Sequence, residues 1–255
     1  VIFAPASIKR ILLVKLRALG DAVLTLPSLD AVHQGFKGAD ITVLCPPASL
    51  QVYADDRRCT ALWAYDRHAL RGLTGQVRFV GKLRQARFDL VLCLHASFRT
   101  ALIARLSGAP WRSVRNHSGP DWFSNLQAGE KKEAKSIIER DFDALRACGL
   151  SPLDAMPRMA IPAWAHAAAS RRVKAWKLAH RPLLMFPGAG RPEKRWPLER
   201  FFELARRLGG LGRSPVFLNA LGDHDLDAQA RKVGARAAQV ADLKELGALS
   251  ALAGA

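Results

Sequence analysis

The sequence predicts an α/β protein made of two units, each with a parallel sheet. Three observations carry that prediction. Short apolar runs alternate with stretches of helical period along the chain, as in βαβ units. The alternation breaks once, over the proline-rich residues 151–181, and then restarts. Glycine or proline marks many of the segment ends, where the chain has to turn.

Taken in order, "ILLV" (11–14) reads as a buried strand. Residues 22–34 read as a helix interrupted or restarted by Pro27. "ITVLC" (41–45) and "ALWAYD" (61–66) read as strands, 75–87 as a helix, and "FDLVLCL" (88–94) as a buried strand. Residues 99–108 form a predicted helix ending at Gly108, and 136–150 an amphipathic helix ending at Gly149. A linker and one helix fill 161–181. The second unit has a strand and glycine-containing loop (182–190), then a helix (197–210) with Pro197 at its first position. A strand (215–221), a helix (224–234), a short strand (237–243) and the start of a last helix complete it. The expected domains are 1–160 and 182–255, joined by 161–181, with the second sheet looking unfinished.

With 39 Lys and Arg against 22 Asp and Glu, the formal charge is +17. Such a surface attracts nucleic acid, anionic membrane or phosphorylated substrates, or is simply a solvated arginine-rich surface. The four cysteines lie far apart with no C-x-x-C pair, which argues against a zinc site or a disulfide framework. Cys45 and Cys93 read as small core residues. No apolar run reaches the length of a membrane span and no signal peptide is visible, so the expected setting is the cytosol. Trp111, Trp122, Trp164, Trp176 and Trp196 read as packing residues, and no nucleic-acid-binding motif is present.

Open parallel sheets bind ligands at the carboxyl ends of their strands. Two loops at such ends carry suggestive residues. In "KLRALGDAVLTLP" (15–27), Asp21 admits two readings: an N-cap, or a general base taking a proton from an attacking hydroxyl. Lys15 and Arg17 would help keep such a base ionised. In "FPGAGRPEKRWP" (186–197), Gly188 and Gly190 let backbone amides approach a ligand, and a helix follows. Lys194 and Arg195 add positive charge, which together suits a diphosphate, although an ordinary βα loop with a solvated lysine reads the same way. His95 and Arg99 follow the strand at 88–94 and could touch an acidic substrate, or His95 could merely cap.

These motifs resemble a known family. "ILLVKLRALGDAVLTLPSLDAV", "VLCLHASFRTALIARLSGAPWRSV", "LLMFPGAGRPEKRWPLERFFELARRL" and "FLNALGDHDL" are similar, in that order, to segments of the ADP-heptose:lipopolysaccharide heptosyltransferases, glycosyltransferase family 9. The resemblance implies a GT-B fold of two Rossmann-like domains. It implies an inverting transfer of heptose from ADP-L-glycero-D-manno-heptose to the Kdo or heptose inner core of lipopolysaccharide, without metal or other cofactor. Asp21 matches the family's base and Lys194 its leaving-group lysine. Pro187, Gly188, Ala189, Gly190, Lys194, Gly222 and Asp225 would bind the donor. Lys15, Arg17, Gly20, His95 and Arg99 would bind the acceptor. The implied setting is the cytoplasmic face of the inner membrane, in peripheral contact with it, and no specific nucleic acid is expected.

The sequence departs from the family in three places. Ala189 and Gly190 stand where hydroxyl residues are usual. Asp225 stands where Glu is common. The D-S/T-G-x-x-H motif is absent because the sequence stops at Ala255. The expectation is either a fragment of a longer enzyme or a truncated homologue acting as a silent binding or scaffold protein.

Overall fold

The computed structural model describes residues 3–114, 122–126, 136–151, 154–189, 192–219 and 224–254. The chain divides into two units, Val1–Ala160 and Ile161–Ala255.

The first unit is built on five parallel strands: β1 (Arg10–Val14), β2 (Asp40–Cys45), β3 (Ala61–Ala64), β4 (Leu90–Cys93) and β5 (Trp111–Val114). Their order is β3-β2-β1-β4-β5. From β1 the chain winds outward to β3, then returns to lay β4 on the other side of β1. The strand order therefore reverses between β1 and β4, and loops leaving the carboxyl ends of these two strands flank a topological switch point. Ile11, Leu12, Leu13 and Val14 have no solvent exposure, as a central strand covered on both faces requires.

The helices are α1 (Leu19–Val23), α2 (Leu26–Gly35), α3 (Leu50–Tyr53), α4 (Gly72–Gln85), α5 (Phe98–Leu106) and α6 (Ile137–Arg146). Leu83 of α4 and Ala101, Ile103 and Ala104 of α5 pack with Leu12 and Val14, so these two helices share one sheet face. Strand side chains alternate, which places Ile11, Leu13 and Lys15 on the opposite face. There α6 packs against α2, β4 and β5, and Ser113 Oγ donates to Ala144 O at 2.8 Å. Two helices begin on capping boxes, Ser97 with Thr100 and Ser136 with Glu139.

The second unit has three parallel strands in the order β6-β7-β8: β6 (Pro182–Met185), β7 (Ser214–Asn219) and β8 (Arg236–Gln239). α7 (Ala163–Trp176) and α10 (Leu243–Gly254) pack together through Ala165, Ala169, Ala248 and Leu249. Arg172 clamps Glu245 across them, with Nε–Oε1 at 2.6 Å and Nη2–Oε2 at 3.2 Å. α8 (Leu198–Gly210) and α9 (His224–Lys232) cover a second cluster around Phe217.

Several expectations need correction. β5 and the short α3 were not anticipated. The helix expected over 22–34 is restarted at Pro27, as read: α1 ends at Val23, and Pro27 is the second residue of α2, where its missing N–H costs nothing. Pro197 is the N-cap of α8 and not its first residue. Among the tryptophans, Trp176 packs inside, whereas Trp122, Trp164 and Trp196 are exposed.

Candidate active site

The loop after β1 carries Arg17, Gly20 and Asp21. Arg17 and Gly20 are exposed and Asp21 is half-buried. Asp21 is not an N-cap: that position of α1 belongs to Ala18, and Asp21 lies inside the first turn. A five-residue helix has little stability of its own. Two hydroxyls from below hold it. Thr25 Oγ1 donates to Asp21 O at 2.9 Å, and Tyr53 Oη donates to Ala22 O at 3.2 Å. Burial pushes the Tyr53 phenol far up, which keeps it a donor.

Lys15 has a different place from the one expected of an acceptor-binding residue. It is 1% exposed, on the α6 face of the sheet. Its Nζ is ion-paired with Asp141 Oδ2 and donates to Leu94 O at 3.1 Å. Asp141, at 0% exposure, also lies 3.4 Å from Thr25 Oγ1. The ammonium is thus spent inside the protein, joining the ends of β1 and β4 and the foot of the Asp21 loop.

Sequence reading missed Asp141, Thr25 and Tyr53. The signal for Asp141 was available: a carboxylate beside Phe142 on the apolar face of an amphipathic helix requires a partner.

The loop after β4 carries His95, half-buried, and Arg99, exposed in the first turn of α5. Thr100 Oγ1 donates to His95 O at 2.6 Å, fixing the backbone there. Since β1 and β4 are parallel neighbours, the topology brings Arg17, Gly20, Asp21, His95 and Arg99 to the carboxyl end of the sheet.

In the second unit, Pro187, Gly188 and Ala189 follow β6 at its carboxyl end. Arg195 Nε donates to Ala189 O at 3.0 Å, drawing the two limbs of the loop together. Lys194 ends a 3-10 turn, Pro192–Lys194, and is exposed. A Cβ placed on Gly20 or Gly188 would meet no atom within 4 Å, so packing inside the chain does not require glycine at either position. Gly190 and Gly222 lie outside the described residues. The backbone of Asp225 falls in the first turn of α9, and its side chain lies outside the described set. A cavity of about 510 Å³ lined by Trp176, Arg231 and Arg236 lies at the amino end of β8 and includes none of the expected residues. Among the described residues no cluster of three or more His, Cys, Asp or Glu is placed to hold a metal ion.

The family model "Glycosyltransferase family 9 (heptosyltransferase)" matches residues 76–252, well over half of the chain. The chain belongs to glycosyltransferase family 9. It is therefore a glycosyltransferase, with the α/β, GT-B type of fold. The match takes in His95, Arg99 and the loop of Lys194 but begins after Asp21. Solved structures extend the likeness to the whole fold. A family 9 glycosyl transferase from Veillonella parvula is 22% identical with a TM-score of 0.77, covering 96% of this chain and 73% of its own. E. coli ADP-heptose lps heptosyltransferase II is 21% identical, TM-score 0.71, covering 95% and 76%. E. coli heptosyltransferase WaaC with ADP-2-deoxy-2-fluoro heptose is 18% identical, TM-score 0.70, covering 96% and 80%. Comparison with curated protein sequences gave no match.

Proposed function

We propose that this family 9 glycosyltransferase moves a heptose from ADP-L-glycero-D-manno-heptose to the Kdo or heptose inner core of lipopolysaccharide, with inversion at the anomeric carbon. The family match carries the reading, supported by an exposed lysine in the glycine-containing loop after β6. The similar E. coli enzyme WaaC has been solved with ADP and with a fluorinated ADP-heptose, which supports an ADP-sugar donor here.

The acceptor hydroxyl attacks the anomeric carbon and gives its proton to the Asp21 carboxylate. The bond from that carbon to the diphosphate oxygen breaks, and ADP leaves with the electron pair. Lys194 stabilises the charge that develops on the diphosphate, so no metal is required. Pro187, Gly188, Ala189, Gly190, Gly222 and Asp225 line the donor side. Arg17, Gly20, His95 and Arg99 meet the acidic acceptor. Lys15 acts behind them and not on the sugar. The reaction belongs on the cytoplasmic face of the inner membrane. The family match favours an enzyme over a silent scaffold.

Calorimetry with ADP and with ADP-heptose tests this reading. Binding should be measurable, and Lys194→Ala should weaken it by about 10–100-fold, the worth of a charge-assisted contact. Unchanged binding in the variant would remove Lys194 from the donor site.

A further inference from the structure

Nearly half of the excess positive charge lies in one stretch. Residues 67–114 contain nine Lys and Arg but a single acid, Asp89. The Asp89 carboxylate is already engaged, accepting the amides of Lys9 and Arg10 at 2.9 and 2.8 Å. This stretch supplies α4 and α5, whose outer surfaces point the same way because both helices cover one sheet face.

On α4 the outer surface is basic and apolar together. Arg71, Arg78, Lys82 and Arg84 are exposed, and none forms an ion pair among the described residues. Leu73 and Val77 stand among them, 80% and 63% exposed. They are one turn apart, about a quarter-turn or more round the helix from the buried Leu83. Around α5 the pattern repeats with aromatic residues, Phe98 on the helix itself and Trp122 from the turn after β5. Phe98 and Trp122 are 72% and 68% exposed and are linked through Phe123, with ring centroids at 5.8 and 5.4 Å. The Arg105 guanidinium lies 4.6 Å from the Trp122 ring. Burial, and to a lesser degree the neighbouring Arg105, lower the Arg112 pKa.

A polyanion in water would need only the cations. Leu, Val, Phe and Trp raised among them fit an interface with a charged skin and an apolar interior. We propose that the outer surface of α4 and α5, with the Trp122 turn packed beside Arg105, is a docking face for an anionic lipid bilayer. Leu73, Val77, Phe98 and Trp122 enter the headgroup boundary while the arginines and Lys82 meet lipid phosphates. Among the described residues no helix is long and apolar enough to span a membrane, so the contact is peripheral. The proposal rests on the reading of a lipid-carried acceptor and adds to it the surface that meets the lipid.

Co-sedimentation with phosphatidylcholine vesicles, with and without 30% phosphatidylglycerol (a composition chosen for the test), needs neither donor nor acceptor. The wild type should bind the anionic vesicles and not the neutral ones, and salt should weaken binding. Each basic side chain near the surface contributes about fivefold, so Arg71→Glu with Arg78→Glu should weaken binding about 25-fold or more. Leu73→Ser with Val77→Ser should weaken it at high salt, where the apolar part dominates. Both variants should keep the wild-type thermal midpoint and unchanged ADP binding. Vesicle binding by both variants equal to wild type, or none by the wild type, would overturn the proposal while leaving the transfer reaction untouched. Binding of duplex DNA in preference to vesicles, insensitive to Leu73→Ser and Val77→Ser, would assign the face to nucleic acid instead. If ADP-heptose binding fails while vesicle binding holds, the ADP-heptose donor reading falls and the lipid face stands.

Discussion

Lys15 and Asp141, 126 residues apart in the chain, form a buried ion pair beneath the loop that carries Asp21. The same ammonium holds the Leu94 carbonyl, one residue before His95. One internal contact therefore fixes the roots of both loops at the switch point.

Breaking the pair from one side leaves a charge buried without its partner. Asp141→Ala should cost about 3–5 kcal/mol of stability. The double replacement Lys15→Met with Asp141→Leu should recover much of that loss, because a volume-matched apolar pair removes both desolvation costs. Urea unfolding of Lys15→Met, Asp141→Leu and the double variant checks this. Additive losses in the double variant would mean that the two groups do not interact.

Asp21→Asn keeps the shape of the loop and removes the base. Turnover should fall by about 10²–10⁴-fold, with ADP affinity nearly unchanged. Single-turnover kinetics beside ADP calorimetry separates the two quantities. Wild-type turnover in Asp21→Asn would exclude the role.

Burial raises the Cys45 and Cys148 thiols from the usual 9.0 to about 12, and raises Cys93 as well. In the folded protein these thiols stay protonated when the unfolded chain has already lost its protons. Between those values the unfolded state binds fewer protons, so stability falls as pH rises. The contribution is complete below about pH 9 and is lost on the way to about pH 12. Unfolding midpoints measured upward from pH 8 should show the decline. At neutral pH, half-exposed Cys59 should react first with a disulfide reagent, and the three buried thiols only on unfolding.

Gly35 ends α2 against the Leu150 side chain, and a Cβ there would overlap Leu150 Cδ2. The overlap is with the end of a side chain that can turn aside, so Gly35→Ala should destabilise by at most about 1 kcal/mol through overpacking. Adding Leu150→Ala opens the space, so the second substitution should cost less in Gly35→Ala than in the wild type. Equal costs in a double-mutant cycle would show that the two positions are independent.

The parallel-strand architecture was legible because apolar runs such as "ILLV" and "LVLC" are buried on both sheet faces and leave an unbroken signal. β5 was not legible: "WRSV" mixes polar and apolar residues, as its half-buried start at the sheet's edge allows. The loops of Asp21 and Lys194 could be named from residue type and from their place after a strand. Lys15 could not be assigned correctly, since its partner lies far along the chain and only the fold joins them. Thr25 and Tyr53 give no sequence signal for holding α1, because each bonds a main-chain carbonyl and any residue offers one.

The place of β1 also orders the birth of the protein. β1 is made before both of its neighbours and becomes the middle of the sheet, so one of its two edges stays open until β4 emerges. Lys15 waits for Asp141 longer still, about 6–25 s at ordinary ribosomal speed over 126 residues. Until β4 emerges the nascent chain displays the bare edge of "ILLV", and Lys15 goes without Asp141 for about fifty residues more. Ribosome-stalled chains ending before residue 137 should accordingly be digested quickly by protease, and chains carrying all of α6 beyond the exit tunnel should resist.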